Sequence, residues 1–579
     1  MTVITRHFAT LDTYATKDAS CKVGEKNTRQ VHYRRTGTGP PLIMLHMSPR
    51  SSLECEPLMK AWADNFTIIA PDTPGYGASD PLDSEGPFDL SDFAHALAAF
   101  ADTIGISRFG LYGHHTGAMI AAEFAHLYPD RVTMTVANGY LVVTENERTE
   151  ILSNYFHDYT PQPDGQHLAH IWRRIRDQFL FFPWSVQSQT GRERMKSKFT
   201  VPDPVTIQGD VMDLLRTGCH ESDGYGAAFR CDGIKILENI SSPCLVTAQP
   251  YDLLYLHLDR IPEDIPDIVS VERFDTLEIL NTAAKKRLIE HAQGDAPPVT
   301  ATATIRDRSW RSYADTLSGQ LCITRGHVGS ALPVILIHDL GSAASAWQSI
   351  ATALTGKRPF IAFDLPGHGE TGPAWGNDGV TVNACAQAIN EAIASLGIRS
   401  FHLISCGGGG LVALKLAIDS NYDIRSWIAV DFWFFDDAEK IALKNRLAPA
   451  LAPQPYGEHL NKAWYAIRDS ELFWPWFNPS PENALDKSPE TEPARIHQRV
   501  CDLLKAAPVI QDLVNSALEV DTKTHLQAID FPVNFCPRDG GPHMKRCRRA
   551  SELTLNAKTT TLSNDHAFHT AAVVALLRD

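Results

Sequence analysis

Two successive histidines, His114 and His115, stand between glycines in Gly113-His114-His115-Thr116-Gly117. The apolar run Phe109–Tyr112 precedes them, and a helix-forming run opens at Ala118. Glycines on either side permit a strained strand-to-helix turn that pushes the central side chain, His115, out over the sheet. An imidazole displayed in this way, beside a carboxylate, can act as general base on water or on a substrate C–H or O–H. It can also attack as a nucleophile. General base ranks first, because it leaves no acyl-imidazole to be turned over. Adjacent histidines with carboxylates nearby also raise metal ligation. The spacing matches no zinc signature, however, and none of the eleven cysteines forms a Cys-x-x-Cys pair. The expectation is no metal and no cofactor.

The elements that must position these residues occur twice. Pro161 to Trp184 reads PQPDGQHLAHIWRRIRDQFLFFPW and Pro453 to Trp476 reads PQPYGEHLNKAWYAIRDSELFWPW, with fourteen of 24 positions identical at an offset of 292. The same offset relates His46 to His338, Asp72 to Asp364, Gly75 to Gly367 and Gly117 to Gly409. A register held this long identifies a duplication. The boundary falls in Gly294–Asp307, rich in Pro, Ala and Thr and without apolar periodicity. The expected domains are residues 1–293 and 308–579, joined by a linker over 294–307.

Within each half, short apolar runs alternate with helical stretches, the pattern of a mainly parallel sheet covered by helices, an α/β fold. Pro41–Leu45, Phe66–Ala70, Phe109–Tyr112 and Val132–Ala137 predict buried strands. Their partners are Leu332–Ile337, Pro359–Phe363, Phe401–Ile404 and Ser426–Val430. Trp-rich helical insertions over about 145–240 and 436–529 predict a lid on each half. In the repeated lid segment, Trp172 and the other aromatic residues fit packing positions. His167 and its counterpart His459 would bind substrate if they faced a pocket, and would otherwise cap the chain. Arg176-Asp177 and Arg468-Asp469 fit a lid ion pair.

Four motifs, in order and twice over, resemble the α/β-hydrolase superfamily. His46-Met47-Ser48-Pro49 is similar to the family's His-Gly-x-Pro turn, and Asp72-Thr73-Pro74-Gly75-Tyr76-Gly77-Ala78-Ser79 to its Asp-x-Pro-Gly-x-Gly-x-Ser loop. The second half has His338-Asp339-Leu340-Gly341 and Asp364-Leu365-Pro366-Gly367-His368-Gly369. Where the family has Gly-x-Ser-x-Gly, the elbow residue is His115 in the first half and Gly407 in the second, so neither half carries the serine. Cys406 is a poor substitute, because the residue before the elbow points away. The resemblance implies two tandem α/β-hydrolase domains. Backbone N–H groups of Ser48 and Thr116 would then form the oxyanion hole. Asp252 would orient His115, or Glu278, which falls opposite His566 when Thr282-Ala283-Ala284 is aligned with Thr570-Ala571-Ala572. In the second half, His566 takes the family's histidine position, with Asp539 or Asp431 as its acid. His46, His167 and Trp172 are candidates for substrate contact.

The formal net charge of −15, with no long Lys/Arg block, argues against nucleic acid or an anionic membrane as partner. No window approaches 18 uninterrupted apolar residues, and the first residues lack a signal-like apolar run. Scattered, odd-numbered cysteines fit reduced thiols in a cytoplasmic protein. The functional expectation is a cofactor-free enzyme acting on a small ester, lactone or β-dicarbonyl compound through a His–carboxylate dyad, with C–C cleavage or lysis as a variant. The second half, lacking an elbow side chain, is expected to complete an internal pseudo-dimer. The alternatives are an inactive ligand-binding or scaffolding pseudo-hydrolase, and a serine hydrolase with a displaced nucleophile at Ser48, Ser51 or Ser52.

Overall fold

The computed structural model describes residues 3–13, 27–83, 86–195, 200–305, 308–326, 329–372 and 379–577, and the side chains of 12, 13, 27 and 566–568 lie outside that description. It divides into two compact units, Met1–Tyr159 with His170–Ala303, and Thr160–Ala169 with Thr304–Asp579.

The first unit is built on an eight-stranded sheet: β1 (Thr5–Thr13), β2 (Asn27–Thr36), β3 (Pro41–Leu45), β4 (Thr67–Pro71), β5 (Phe109–His114), β6 (Val132–Asn138), β7 (Cys244–Ala248) and β8 (Val269–Arg273). Its spatial order is β1-β2-β4-β3-β5-β6-β7-β8. Only the β1–β2 and β2–β4 pairings are antiparallel. The second unit repeats this with β9 (Trp310–Thr316), β10 (Gly319–Gly326), β11 (Val334–Ile337), β12 (Phe360–Phe363), β13 (Ser400–Cys406), β14 (Asp423–Val430), β15 (Val533–Cys536) and β16 (Ala557–Thr559), ordered β9-β10-β12-β11-β13-β14-β15-β16.

The central strands are apolar throughout because helices cover both faces of the sheet. In β3, Ile43 and Leu45 enter one core cluster while Leu42 and Met44 enter the other. Each such side chain, removed from water, contributes on the order of 1.5–3 kcal/mol, so the centre of the sheet is its rigid part. The helix Thr116–Leu127 packs against it through Ala118, Met119, Ala121 and Ala122, all fully buried. Helices between Glu145 and Glu238 separate β6 from β7, and helices between Asp437 and Gln527 separate β14 from β15.

The antiparallel pairs at the start of each half, β1–β2 and β9–β10, were not among the expected strands. Their polar alternation, as in Arg29-Gln30-Val31-His32-Tyr33-Arg34, suits the margin of a sheet. The expected linker also differs at its start. Arg35 donates to the carbonyls of Pro297 and Pro298, and Thr302 Oγ1 donates to Phe8 O at 2.7 Å. This stretch is therefore tied to the edge of the first sheet, while residues 306 and 307 lie outside the described residues. No helix among the described residues is long and apolar enough to cross a membrane.

Candidate active site

At the carboxyl end of β5 the chain turns sharply into the helix Thr116–Leu127, and His115 occupies the turn with φ 48° and ψ −112°. Its N–H donates to Asn138 O at 2.9 Å, which fixes the turn to β6. The flanking residues must be glycine. A Cβ at Gly113 would stand 2.2 Å from Gly117 O, and one at Gly117 would stand 2.3 Å from Leu45 O. The local sequence therefore closes strand on helix and leaves one side chain, the imidazole of His115, standing proud.

That imidazole meets Asp252, on the loop after β7. His115 Nε2 lies 3.1 Å from both carboxylate oxygens. A carboxylate only accepts, so Nε2 carries the proton and Nδ1 carries the lone pair. Asp252 Oδ1 also accepts Leu254 N–H at 2.7 Å. Burial works against its charge, but His115, His114 and that N–H outweigh it and hold its pKa down at about 2.

A second pair lies alongside. His114 Nδ1 is 2.6 Å from Glu54 Oε1, and Glu54 Oε2 accepts Met47 N–H at 2.8 Å. Against the cost of burial, His114 brings Glu54 down to about 2. In return, Glu54 and then Asp252 outweigh burial at His114 and raise its pKa above the ordinary histidine value. His114 Nε2 is 4.0 Å from Asp252 Oδ2. The two histidines and two carboxylates thus form one connected polar floor.

The floor opens on a cavity of about 270 Å³. Ser48 and Thr116 line it beside the histidines, while Tyr155, Phe181, Trp184 and Phe229 supply an aromatic wall from the lid. Buried Arg174 props that wall, its guanidinium 4.9 Å from the Tyr155 ring and 5.1 Å from the Trp184 ring, with Glu221 at 3.3 Å. Arg50 also reaches the cavity, but its charge is engaged by Asp210 and by Asp213 at 3.2 Å.

Several expected site residues fall elsewhere. Glu278 is exposed on the first turn of the helix Leu277–Glu290, outside the cavity lining, and among the described residues no hydrogen bond or ion pair joins it to His115. Between the two proposed acids the geometry therefore brings Asp252, and not Glu278, to the elbow. His46 does not line the cavity either. Its Nδ1–H donates to Met47 O at 2.8 Å and its Nε2 accepts Thr73 N–H at 2.9 Å, tying two loops together. His338 repeats the arrangement at 2.8 and 3.0 Å.

His167 is buried within the second unit. Its Nδ1 accepts Gln162 N–H at 3.1 Å and its Nε2 lies 3.0 Å from His497 Nδ1. His459 receives Gln454 N–H at the same 3.1 Å, so the repeated histidine is a turn cap in both halves. Trp172 is buried in the helix Gln166–Asp177 and does not line the cavity.

Glu54 escaped the sequence reading because nothing along the chain links it to His114, sixty residues away. The duplication held the signal. Glu54 and His114 correspond to Ala346 and Cys406, so the pair disappears together. The expectation of no metal-binding set rested likewise on spacing along the chain. In space, His114, His115 and Asp252 bring ligand-type atoms within 4.8 Å of one another.

The second unit's floor is filled by its own chain. Asp339 Oδ1 accepts Gly408 N–H at 2.7 Å and Leu340 N–H at 2.8 Å, the positions matching Thr116 and Ser48. A Cβ on the elbow residue Gly407 would lie 2.2 Å from that oxygen. Asp431, at φ 46°, stands where the first unit has Gly139 and is bonded by Arg538 through both N–H at 3.0 Å and Nε. Of the two acids proposed for this half, Asp431 is buried beside the elbow strand and Asp539 is exposed. Burial drives the Cys406 thiol far above its ordinary pKa, as unfit for a thiolate nucleophile as its place before the elbow implied. His566 opens the helix His566–Ala575, but its side chain lies outside the described residues.

The alpha/beta hydrolase fold family matches residues 40–187, and a second alpha/beta hydrolase family matches residues 334–533. The chain is 33% identical over 122 residues to the 2-(acetamidomethylene)succinate hydrolase of Mesorhizobium japonicum, covering 21% of this chain and 43% of that enzyme. It is 36% identical over 103 residues to a soluble epoxide hydrolase of Corynebacterium sp., covering 17% of this chain and 34% of that enzyme. These matches span less than half the length of either relative. The crystal structure of Epoxide Hydrolase A from Mycobacterium thermoresistibile superposes on 47% of this chain and 97% of its own, with 18% identity and a TM-score of 0.35.

Proposed function

The chain belongs to the α/β-hydrolase superfamily as a tandem pair, and from that premise we propose that its first unit hydrolyses a small, largely apolar ester, lactone or β-dicarbonyl compound. The observation that carries this reading is His115 Nε2 at 3.1 Å from both oxygens of Asp252, on the floor of an aromatic cavity. With the Nε2 proton held by Asp252, Nδ1 takes a proton from water, and the hydroxide adds to the substrate carbonyl. Asp252 stabilises the imidazolium, as the acid of a hydrolase triad does. The backbone N–H groups of Ser48 and Thr116 receive the developing oxyanion, a contribution of about 3 kcal/mol per donor in comparable sites. The imidazolium then returns its proton to the leaving oxygen or carbon, which closes the cycle without an acyl-enzyme. The relatives named as hydrolases support hydrolysis as the reaction class.

The second unit, with Asp339 across its N–H donors and Gly407 at its elbow, carries no turnover and serves as the internal partner in a fused pseudo-dimer. The test is turnover of a panel of esters, lactones and β-diketones by wild type, His115→Ala, Asp252→Asn and His566→Ala. The reading predicts loss with the first two variants alone. Loss with His566→Ala alone would move the active site to the other half. A fluorophosphonate that labels the protein would return the reaction to a displaced serine.

A further inference from the structure

We propose that the same floor is a binding site for a divalent transition-metal ion, with His114 Nε2, His115 Nε2 and one Asp252 oxygen as ligands and Glu54 as the carboxylate behind His114. The three ligand atoms lie within 4.8 Å of one another, Asp252 at 3.1 Å from His115 and 4.0 Å from His114. An ion with bonds of about 2.0–2.2 Å holds neighbouring ligand atoms roughly 3–3.5 Å apart, so closure asks only small imidazole rotations.

Glu54 is the independent observation. The dyad chemistry does not require it, yet it bonds His114 Nδ1 at 2.6 Å and is itself fixed by Met47 N–H at 2.8 Å. A carboxylate on the far nitrogen of an imidazole selects the tautomer whose other nitrogen carries the lone pair, and it raises that nitrogen's basicity. This is the support that metal-ligating histidines characteristically receive. Here the nitrogen so prepared is His114 Nε2, which faces Asp252. Both histidines line the cavity, which leaves the ion an open side for water or substrate. Two imidazoles and one carboxylate suit zinc, cobalt, nickel or iron(II), whereas calcium and magnesium prefer an all-oxygen shell.

This inference shares the cavity with the hydrolytic reading but not its reaction. The dyad needs a proton on His115 Nε2, and an ion needs the lone pair there. Binding therefore moves that proton to Nδ1, where it occupies the lone pair that the dyad uses as base.

The experiment uses the full chain, stripped with a chelator, then titrated with Co2+ under visible absorption and with Zn2+ in a calorimeter. Expected are d–d bands that saturate at one ion per chain and vanish in both His115→Ala and Asp252→Asn. Glu54→Gln should keep the fold, checked by circular dichroism, and weaken affinity about 10–100-fold. Zn2+ should lower dyad turnover at least tenfold, with chelator restoring it. No binding by wild type, or undiminished binding by the His115→Ala/Asp252→Asn double variant, overturns the site. Turnover without any metal binding overturns the site alone. Binding without turnover of any panel compound overturns the hydrolytic reading alone. Turnover raised by Zn2+ keeps the site and overturns the base.

Discussion

The two units fold on one plan and end in opposite floors. In the first, the elbow carries an imidazole and the position after β6 is Gly139. In the second, the elbow is Gly407 and the position after β14 is Asp431. Each glycine is where it is because of what stands beside it. A Cβ at Gly139 would lie 2.2 Å from His115 Cδ2, and a Cβ at Gly407 would lie 2.2 Å from Asp339 Oδ1. Five matched positions change together: Met47, Glu54, His114, His115 and Gly139 become Asp339, Ala346, Cys406, Gly407 and Asp431. The first floor points paired charges into a cavity, while the second satisfies its own N–H donors with its own carboxylate. Keeping the scaffold costs nothing in this exchange, because β3, β5, β6 and their counterparts bury the same apolar faces in both halves.

The sharpest way to break the comparison is to put the second unit's side chain into the first. Gly139→Asp should evict His115 from Asp252 and cut turnover about 10²–10⁴-fold, the range general-base catalysis contributes. His115→Ala should do the same, and the two combined should cost no more than either, because both remove one interaction. Steady-state kinetics on the three variants check this. Additive losses would mean that Gly139 matters for a reason other than His115.

The reverse exchange tests the second floor through stability. Gly407→Ala places a Cβ against Asp339 at positive φ and should cost on the order of 2–3 kcal/mol. Asp339→Ala in the same chain removes the clash, so the double variant should recover about 1–2 kcal/mol relative to additivity. Denaturant midpoints of the four chains give the coupling, and a coupling near zero would mean that the carboxylate simply swings aside.

How much of this was legible differs from scale to scale. The four central strands of each half were readable because burial on both faces writes a continuous apolar run, as in Leu42-Ile43-Met44-Leu45. The elbow was readable because its glycines are local. The Asp252 partnership is only half readable: it depends on how far the loop after β7 reaches back, a tertiary distance, so the sequence offers Glu278 as well, and the helix Leu277–Glu290 carries that residue to the surface. His46 is read in the sequence as a substrate contact, and His167 is left between substrate contact and capping, for a related reason. A histidine that caps a backbone N–H has the same sequence signature as one that meets a substrate. Asp339 filling the oxyanion positions was not foreseen, because a carboxylate curling back to Gly408 N–H leaves no periodicity behind.

Asp339 also gives the two floors different responses to pH. Burial, with Asp431 adding to it, raises its pKa from 3.8 to about 6 against the opposing pull of the Gly408 and Leu340 N–H groups and Arg538. Because the folded value is the higher one, between pH 4 and 6 the folded chain keeps a proton that the unfolded chain has released. The Asp339 contribution is most favourable below about pH 4 and is lost as pH rises through about 6, a swing on the order of 3 kcal/mol. Asp339→Asn cannot ionise and keeps an oxygen for both N–H donors. Relative to wild type it should therefore gain stability steadily from pH 4 to pH 7. Thermal melts of both chains across that range test the sign, and a difference that stays flat would mean that Asp339 ionises at its ordinary value.

The smallest expected effect separates the aromatic wall from the floor beneath it. Phe181 lines the first cavity from the lid as an apolar side chain. Truncating it removes apolar contact that substrate and transition state feel alike, so Phe181→Ala should raise KM about tenfold, worth roughly 1.4 kcal/mol, and leave kcat within twofold. The effect should grow with the apolar bulk of the substrate across the panel and disappear for the smallest esters. A fall in kcat with KM unchanged would instead make Phe181 part of what holds His115 and Asp252 in register, and the division between an apolar wall that binds and a charged floor that reacts would have to be redrawn.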